Sequence, residues 1–98
     1  MIPRWIISPS AAADIEEIAD YIAGDDPTAA VHMVEDLLAA IELLAGRPSI
    51  GHRRDDLSDQ SLLTWPVHKL VVIYRSTATH IEIVAIVSGY RDMTALHL

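Results

Sequence analysis

The stretch SPSAAADIEEIADYIAGDDPTAAVHMVEDLLAAIELLAGRP, residues 8–48, contains two start signals for helices. Ser8 stands before Pro9, and Asp26 stands before Pro27. A serine or aspartate side chain accepts a hydrogen bond from a free backbone N–H of the first turn, and proline fits the first helical position. Each pair therefore predicts the beginning of a helix.

Glycine and proline follow each predicted helix, and apolar residues give each one a face to bury. Gly24 ends the first helix, and Gly46 with Pro48 ends the second. In the first helix the apolar residues recur at i, i+3, i+4 and i+7, namely Ile15, Ile18, Ala19 and Ile22. The second helix has a wider stripe, made of Ala30, Val34, Leu37, Leu38, Ile41, Leu44 and Ala45. The acids of the first helix, Asp14 among them, are expected on its other faces. The short connection between the two helices predicts an antiparallel helical hairpin.

Four short apolar segments flank this hairpin, one before it and three after it. Their residues are mostly Val, Ile, Leu, Trp and Tyr, which favour strands: RWII (4–7), SLLTWPV (61–67), KLVVIYR (69–75) and HIEIVAIVSG (80–89). Pro66 cannot donate to a ladder and predicts an edge strand or a bulge. The near-continuous apolarity of the last segment indicates burial on both faces, or one face left for a partner.

The order β-α-α-β-β-β predicts an α+β fold in which a helical hairpin packs on a small, mostly antiparallel sheet. The polar segment SIGHRRDDLSDQ, residues 49–60, is expected to be a loop. Ninety-eight residues suit one domain, and we expect it to span residues 1–98.

Composition excludes several classes of function. The chain has no cysteine, which removes disulfides, thiolate zinc sites and cysteine nucleophiles, and its histidines show no metal-ligand spacing, so we expect no metal or cofactor. The net charge of −7 argues against broad binding to a phosphate backbone. Residues 1–46 carry nine acids and only one base, whereas residues 47–98 carry six bases and five acids. No apolar run approaches a membrane span, so we expect a soluble, cytoplasmic protein.

Four segments in order resemble the RelE/ParE superfamily of toxins from type II toxin–antitoxin modules. They are ISPSAAADIEEIADYIA (7–23), LLAGRPSIGHRRDDL (43–57), HKLVVIYR (68–75) and IEIVAIVSGYRDM (81–93). The resemblance covers about residues 4–95 and is closer to the ParE branch, whose genes are often described as plasmid stabilisation proteins.

The resemblance implies a partner and one of three activities. A cognate antitoxin is expected to neutralise the protein. A ParE-like toxin is implied to inhibit DNA gyrase by binding, without chemistry of its own. A RelE-like toxin would instead be an endoribonuclease that cuts mRNA on the ribosome. A third alternative is a degenerate, non-toxic member that only binds antitoxin.

Candidate site residues follow from the resemblance and from strand alternation. A nuclease would use Lys69, Arg91 and His97, which stand where the RelE-like branch carries its basic and proton-transferring groups. Three aspartates before the third strand would repel RNA. The candidates for contact with antitoxin or target are Arg53, Arg54, Lys69, Val71, Ile73, Arg75, Tyr90 and Arg91.

Several of these candidates have a plain structural alternative. Arg53 and Arg54 could simply pair with Asp55 and Asp56 in a solvated loop. Alternation places Val71 and Ile73 on one strand face with Lys69 and Arg75, and Glu82 could pair with Arg75 across the hairpin. One interpretation is that this face is open and is covered by an antitoxin. The other is that Lys69 and Arg75 lie at the strand ends and only extend their charged groups into water. An open apolar face would favour a homodimer or a toxin–antitoxin hetero-oligomer.

Overall fold

Two helices and four strands form residues 4–88, the part of the chain that the computed structural model describes. In chain order they are β1 (Trp5–Ile7), α1 (Pro9–Ala23), α2 (Pro27–Gly46), β2 (Leu63–Val67), β3 (Leu70–Ser76) and β4 (Ile81–Ser88), with a 3₁₀ turn at Pro48–Ile50. This order confirms the predicted β-α-α-β-β-β fold.

The sheet has the strand order β1-β4-β3-β2, so the last strand lies in the interior. Strand β1 runs parallel to β4, and the other neighbours are antiparallel. Strand β2 is an edge strand, as Pro66 predicted. His52 covers that edge through two backbone hydrogen bonds of 2.8 Å with Thr64. The β2 edge is therefore closed by one loop residue and one proline.

Both predicted helix starts are present. The Ser8 side chain accepts from the Ala11 N–H at 3.0 Å, and the Asp26 side chain accepts from the Ala29 N–H at 3.1 Å. Leu38, predicted in the buried stripe of α2, is 40% exposed, so that prediction is wrong. It lies about 100° around the helix from buried Leu37, outside the arc that faces the sheet.

Helix α1 completes the hydrogen bonding of β4 beyond the end of β1. The ladder between β3 and β4 shifts register next to Ile73, leaving Val84 as the extra residue of a β-bulge. The Ser8 hydroxyl donates to the Val84 carbonyl oxygen at 3.0 Å, and an Asp14 carboxylate oxygen accepts from the Ile86 N–H at 3.0 Å. Asp14 was expected on the faces of α1 away from the apolar stripe, but its carboxylate faces β4 and accepts a hydrogen bond that a neighbouring strand would otherwise accept.

Apolar residues are buried on both faces of the sheet. The larger cluster lies between the helices and the sheet, and Leu37, Ile41, Tyr74 and Ile83 are at its centre. The smaller cluster lies on the back face, the face turned away from the helices, and consists of Leu57, Leu62, Ile73, Ala85 and Val87. Burial of β4 on both faces is thus confirmed. The segment predicted as a polar loop supplies one buried anchor, Leu57.

Tyr74 fixes this loop to the sheet. Its hydroxyl donates to the Pro48 carbonyl oxygen at 2.7 Å and accepts from the Gly51 N–H at 3.0 Å. A Cβ atom at Gly51 would overlap the Tyr74 ring, so only glycine fits there. Burial raises the pKa of the Tyr74 hydroxyl, and the hydrogen bond from Gly51 opposes that rise.

Replacing Tyr74 by phenylalanine should lower the free energy of unfolding by about 2 kcal/mol, because two backbone groups lose their partner. Urea unfolding measures this loss. Because the folded-state pKa is raised, the contribution of the hydroxyl to stability is complete below pH 10 and is lost as the pH rises through the folded-state pKa. The difference in stability between wild type and Tyr74→Phe should therefore shrink at alkaline pH. Tyr21→Phe replaces an exposed tyrosine and is the control. It should change neither the free energy of unfolding nor its dependence on pH.

Candidate functional site

An apolar groove lies where α1, α2 and one end of the sheet meet, and it encloses about 600 Å³. We call it the α1–sheet groove. Helix α1 contributes Ile18, Tyr21 and Ile22 to its walls, α2 contributes Met33, and β3 contributes Leu70. An apolar cavity of this size is typical of a site that buries part of a ligand or partner.

The groove exists because α1 covers the sheet unevenly. Ala11, near the start of α1, is fully buried, whereas Ile18 and Ile22 are only half-buried. Ser8, the N-cap of α1, and Asp14 in its first turns hold the start of the helix to β4 through hydrogen bonds. The apolar stripe therefore continues past the point where the sheet covers it.

Polar and charged groups stand at the rim of the groove. Glu17 and Lys69 supply one charge of each sign, and Ser88 lies at the end of β4. Tyr21 is 82% exposed, the highest exposure among the large apolar residues of the described chain. Tyrosine combines a large apolar ring with a polar tip and is enriched in protein–protein interfaces. An apolar floor with a tyrosine and charges around it fits a protein partner.

A tight turn between β2 and β3 positions Lys69. Val67 pairs with Leu70, so His68 and Lys69 alone form the turn. His68 has a φ of 55°, which is uncommon for a residue with a side chain. Its Nε2 atom lies 2.6 Å from an Asp36 carboxylate oxygen, and this contact ties the turn to α2.

A second cavity of about 500 Å³ opens on the α2 side of the same turn and shares Lys69 and Met33 with the α1–sheet groove. His32, Asp36 and His68 also line it. Among the predicted candidates that lie within residues 4–88, Lys69 is therefore the one that lines these cavities.

The two loop arginines are engaged within their own loop. Arg54 forms a paired hydrogen bond with Asp56, with the shortest N–O distance 2.6 Å, and this bond together with the arginine charge lowers the pKa of Asp56. Arg53 donates to the backbone carbonyl oxygen of Gln60. The predicted ion pair with Asp56 is present, and both arginines stabilise the loop that covers the back face.

The predicted open face of β3 is not open at its centre. Ile73 has no exposed surface because Leu57 and Leu62 pack over it, so its assignment to an open face is wrong. In the predicted polar loop, residues 49–60, the apolar residues are Ile50 and Leu57, and Leu62 belongs to the next segment, which was predicted as a strand. Val71 is half-buried at the margin of the same cluster.

Arg75 lies on this back face between two acids. Its guanidinium contacts Glu82 at 3.4 Å and Asp59 at 3.6 Å, and the predicted pair with Glu82 across the hairpin is thus present. A hydrogen bond from Ser61 is the main cause of the lowered pKa of Asp59, with a smaller contribution from the Arg75 charge.

Tyr90, Arg91 and His97 lie outside the described residues, so Lys69 alone represents the predicted nuclease set here. Sequence reasoning missed Tyr21 and Met33 as groove residues. The signal for Tyr21 was present, because it stands three residues after Ile18 and extends the apolar stripe.

Among residues 4–88, no group of three histidine, aspartate or glutamate side chains is arranged to hold a metal ion. Within the same residues, no helix has the length and the apolar surface needed to cross a membrane.

A protein-family model described as the ParE toxin of type II toxin–antitoxin system, parDE, matches residues 5–93. The chain therefore belongs to the ParE toxin family, and the resemblance to the ParE branch is confirmed. A solved structure, the chromosomal ParDE TA system from P. aeruginosa, is similar with a TM-score of 0.71 and 22% identity. The similarity covers 86% of this chain and 92% of that chain, and at this identity it shows the fold. A comparison with curated proteins finds no match.

The burial of a side chain predicts how much its replacement by alanine lowers the free energy of unfolding. Ile73→Ala should lower the free energy of unfolding by about 3 kcal/mol, because it leaves a cavity in a fully packed cluster. Leu43→Ala, on an exposed leucine of α2, should change it by less than about 1 kcal/mol. Urea denaturation of both variants measures the difference, and equal losses would contradict the packing described for Ile73.

Proposed function

We propose that this chain is the toxin of a type II toxin–antitoxin module, that it inhibits DNA gyrase by binding, and that a cognate antitoxin neutralises it by covering the α1–sheet groove. The family match over residues 5–93 carries the toxin assignment. The gyrase target rests on the closer resemblance to the ParE branch than to the mRNA-cutting branch.

The distribution of charge supports a protein target over an RNA substrate. The chain carries a net charge of −7, and a ribonuclease must attract a phosphate backbone. Arg53 and Arg54 donate hydrogen bonds within their loop. Arg75 forms ion pairs with Asp59 and Glu82. Binding RNA would compete with these contacts, whereas inhibition through protein contact needs no broad basic surface.

The shape and chemistry of the α1–sheet groove support an antitoxin segment as its occupant. Partner side chains that fill it would remove Ile18, Ile22 and Met33 from water, and burial of such apolar surface is the main favourable term in most protein association. Lys69 at the rim can pair with an acidic side chain of the partner. Among the groove side chains, we expect Tyr21 to contribute most to the free energy of antitoxin binding.

Purified protein tests the target directly. We expect it to inhibit supercoiling by gyrase and to increase the amount of cleaved, linear DNA, while leaving mRNA on ribosomes intact. Cleavage of ribosome-bound mRNA, with gyrase unaffected, would replace the gyrase proposal with the endoribonuclease alternative. Absence of both effects, together with normal growth on expression, would indicate a member that only binds antitoxin.

Tyr21→Asp should weaken binding of the antitoxin encoded beside this chain by about thirtyfold, about 2 kcal/mol, because a charge replaces an exposed aromatic anchor at the groove. Val31→Asp is the matched control, since it puts the same charge on an exposed apolar position of the other helix. Isothermal titration calorimetry measures both affinities. Equal affinities for the two variants would exclude the groove as the antitoxin site and leave the gyrase assay unaffected.

A further inference from the structure

Strand β1 has an outer edge that the described chain does not use. The Arg4 carbonyl accepts from the Ile81 N–H, and the Ser8 N–H donates to the Ile83 carbonyl. With Trp5 paired to Ile81 in a parallel ladder, this pattern turns the backbone groups of Ile6 toward β4.

The backbone N–H and C=O groups of Trp5 and Ile7 consequently point away from the sheet. Within residues 4–88 no hydrogen bond reaches these four groups. Unpaired strand groups of this kind form a template for another strand. The opposite edge of the sheet differs, because His52 and Pro66 close it.

The edge of β1 is complementary to itself. If a second β1 approaches antiparallel with a two-fold axis at Ile6, Trp5 of each copy lies opposite Ile7 of the other. Both residues present outward N–H and C=O groups, so each of the two pairs exchanges two hydrogen bonds. Four backbone hydrogen bonds form, and none within either copy is broken.

The side chains at this register are also suited to pairing. Ile6 is 42% exposed on the back face, and on the two-fold axis it would meet its own copy in a non-hydrogen-bonded pair, where opposing side chains come closest. On the helix face, Trp5 would lie beside Ile7 of the other copy. Aromatic and β-branched residues form favourable cross-strand pairs.

We infer that two copies of this chain pair through β1, antiparallel about Ile6, and join their sheets into one eight-stranded sheet. Such a contact is isologous, because the same patch serves both copies. The interface between three-residue strands is small, so the dimer should be weak and concentration-dependent. This inference is independent of the gyrase target.

Sedimentation equilibrium of the full chain from micromolar to millimolar concentration tests the inference. Wild type should dimerise, and Ile6→Lys should weaken dimerisation by at least about tenfold, since two like charges would meet on the axis. Leu43→Lys is the control, because Leu43 has a similar exposure on helix α2. It should leave the dimer intact.

A cross-link provides a second measurement that does not depend on Ile6→Lys folding. The chain has no cysteine of its own, so Ile6→Cys introduces a single thiol. Opposed residues of a non-hydrogen-bonded pair have Cα atoms about 4.5 Å apart, within the range for a disulfide. Mild oxidation with glutathione disulfide should therefore yield a covalent dimer from Ile6→Cys and little from Leu43→Cys.

Three results would overturn the inference: a wild-type monomer at every concentration, equal weakening by the two lysine variants, or equal cross-linking of the two cysteine variants. A monomeric wild type whose antitoxin affinity falls with Ile6→Lys would instead assign this edge to a strand of the antitoxin. Because gyrase inhibition is measured separately, its outcome does not bear on these results.

Discussion

Strand β4 must satisfy its backbone groups on two edges while both its faces are buried, and β1 is long enough to serve only half of one edge. Two groups of the remaining half, the Val84 carbonyl and the Ile86 N–H, bond to the side chains of Ser8, the N-cap of α1, and Asp14. A buried backbone group without a partner costs about as much as a lost hydrogen bond. This constraint fixes the start of α1 on the sheet and brings the bulge in β4 into contact with the helix N-cap.

Much of the surface chemistry follows from that attachment. Helix α1 is attached to the sheet at its first turns, and its apolar stripe extends beyond the area that the sheet covers. Ile18, Tyr21 and Ile22 therefore line the groove. Ser88, where the described part of β4 ends, lines the same groove. The short length of β1 thus determines how α1 lies on the sheet and how much apolar surface remains for a partner.

The sequence predicted the elements well because their signals are local. Ser8, Pro9, Asp26 and Pro27 act within one helical turn, and Pro66 excludes an interior strand by its own chemistry. The errors have a different origin. Asp14 bonds to Ile86, which is 72 positions away in the chain. Ile73 is buried by residues of a loop. The hydrophobic periodicity of the sequence does not encode either contact. Lys69 was found through resemblance. The apolar stripe of α1 includes Tyr21, but its exposure beside the groove depends on how far the sheet extends beneath α1.

The closed edge at β2 limits what the sheet can assemble into. On this edge the backbone of Thr64 is already paired with His52, and Pro66 has no N–H to donate. Another strand therefore cannot form a continuous ladder along β2. Head-to-tail addition of copies would pair the β1 edge of one copy with the β2 edge of the next. Because the β2 edge is closed, such addition cannot occur. Any growth of this sheet stops after one partner. Because the four strands of residues 4–88 are mostly apolar, that asymmetry protects against fibre formation.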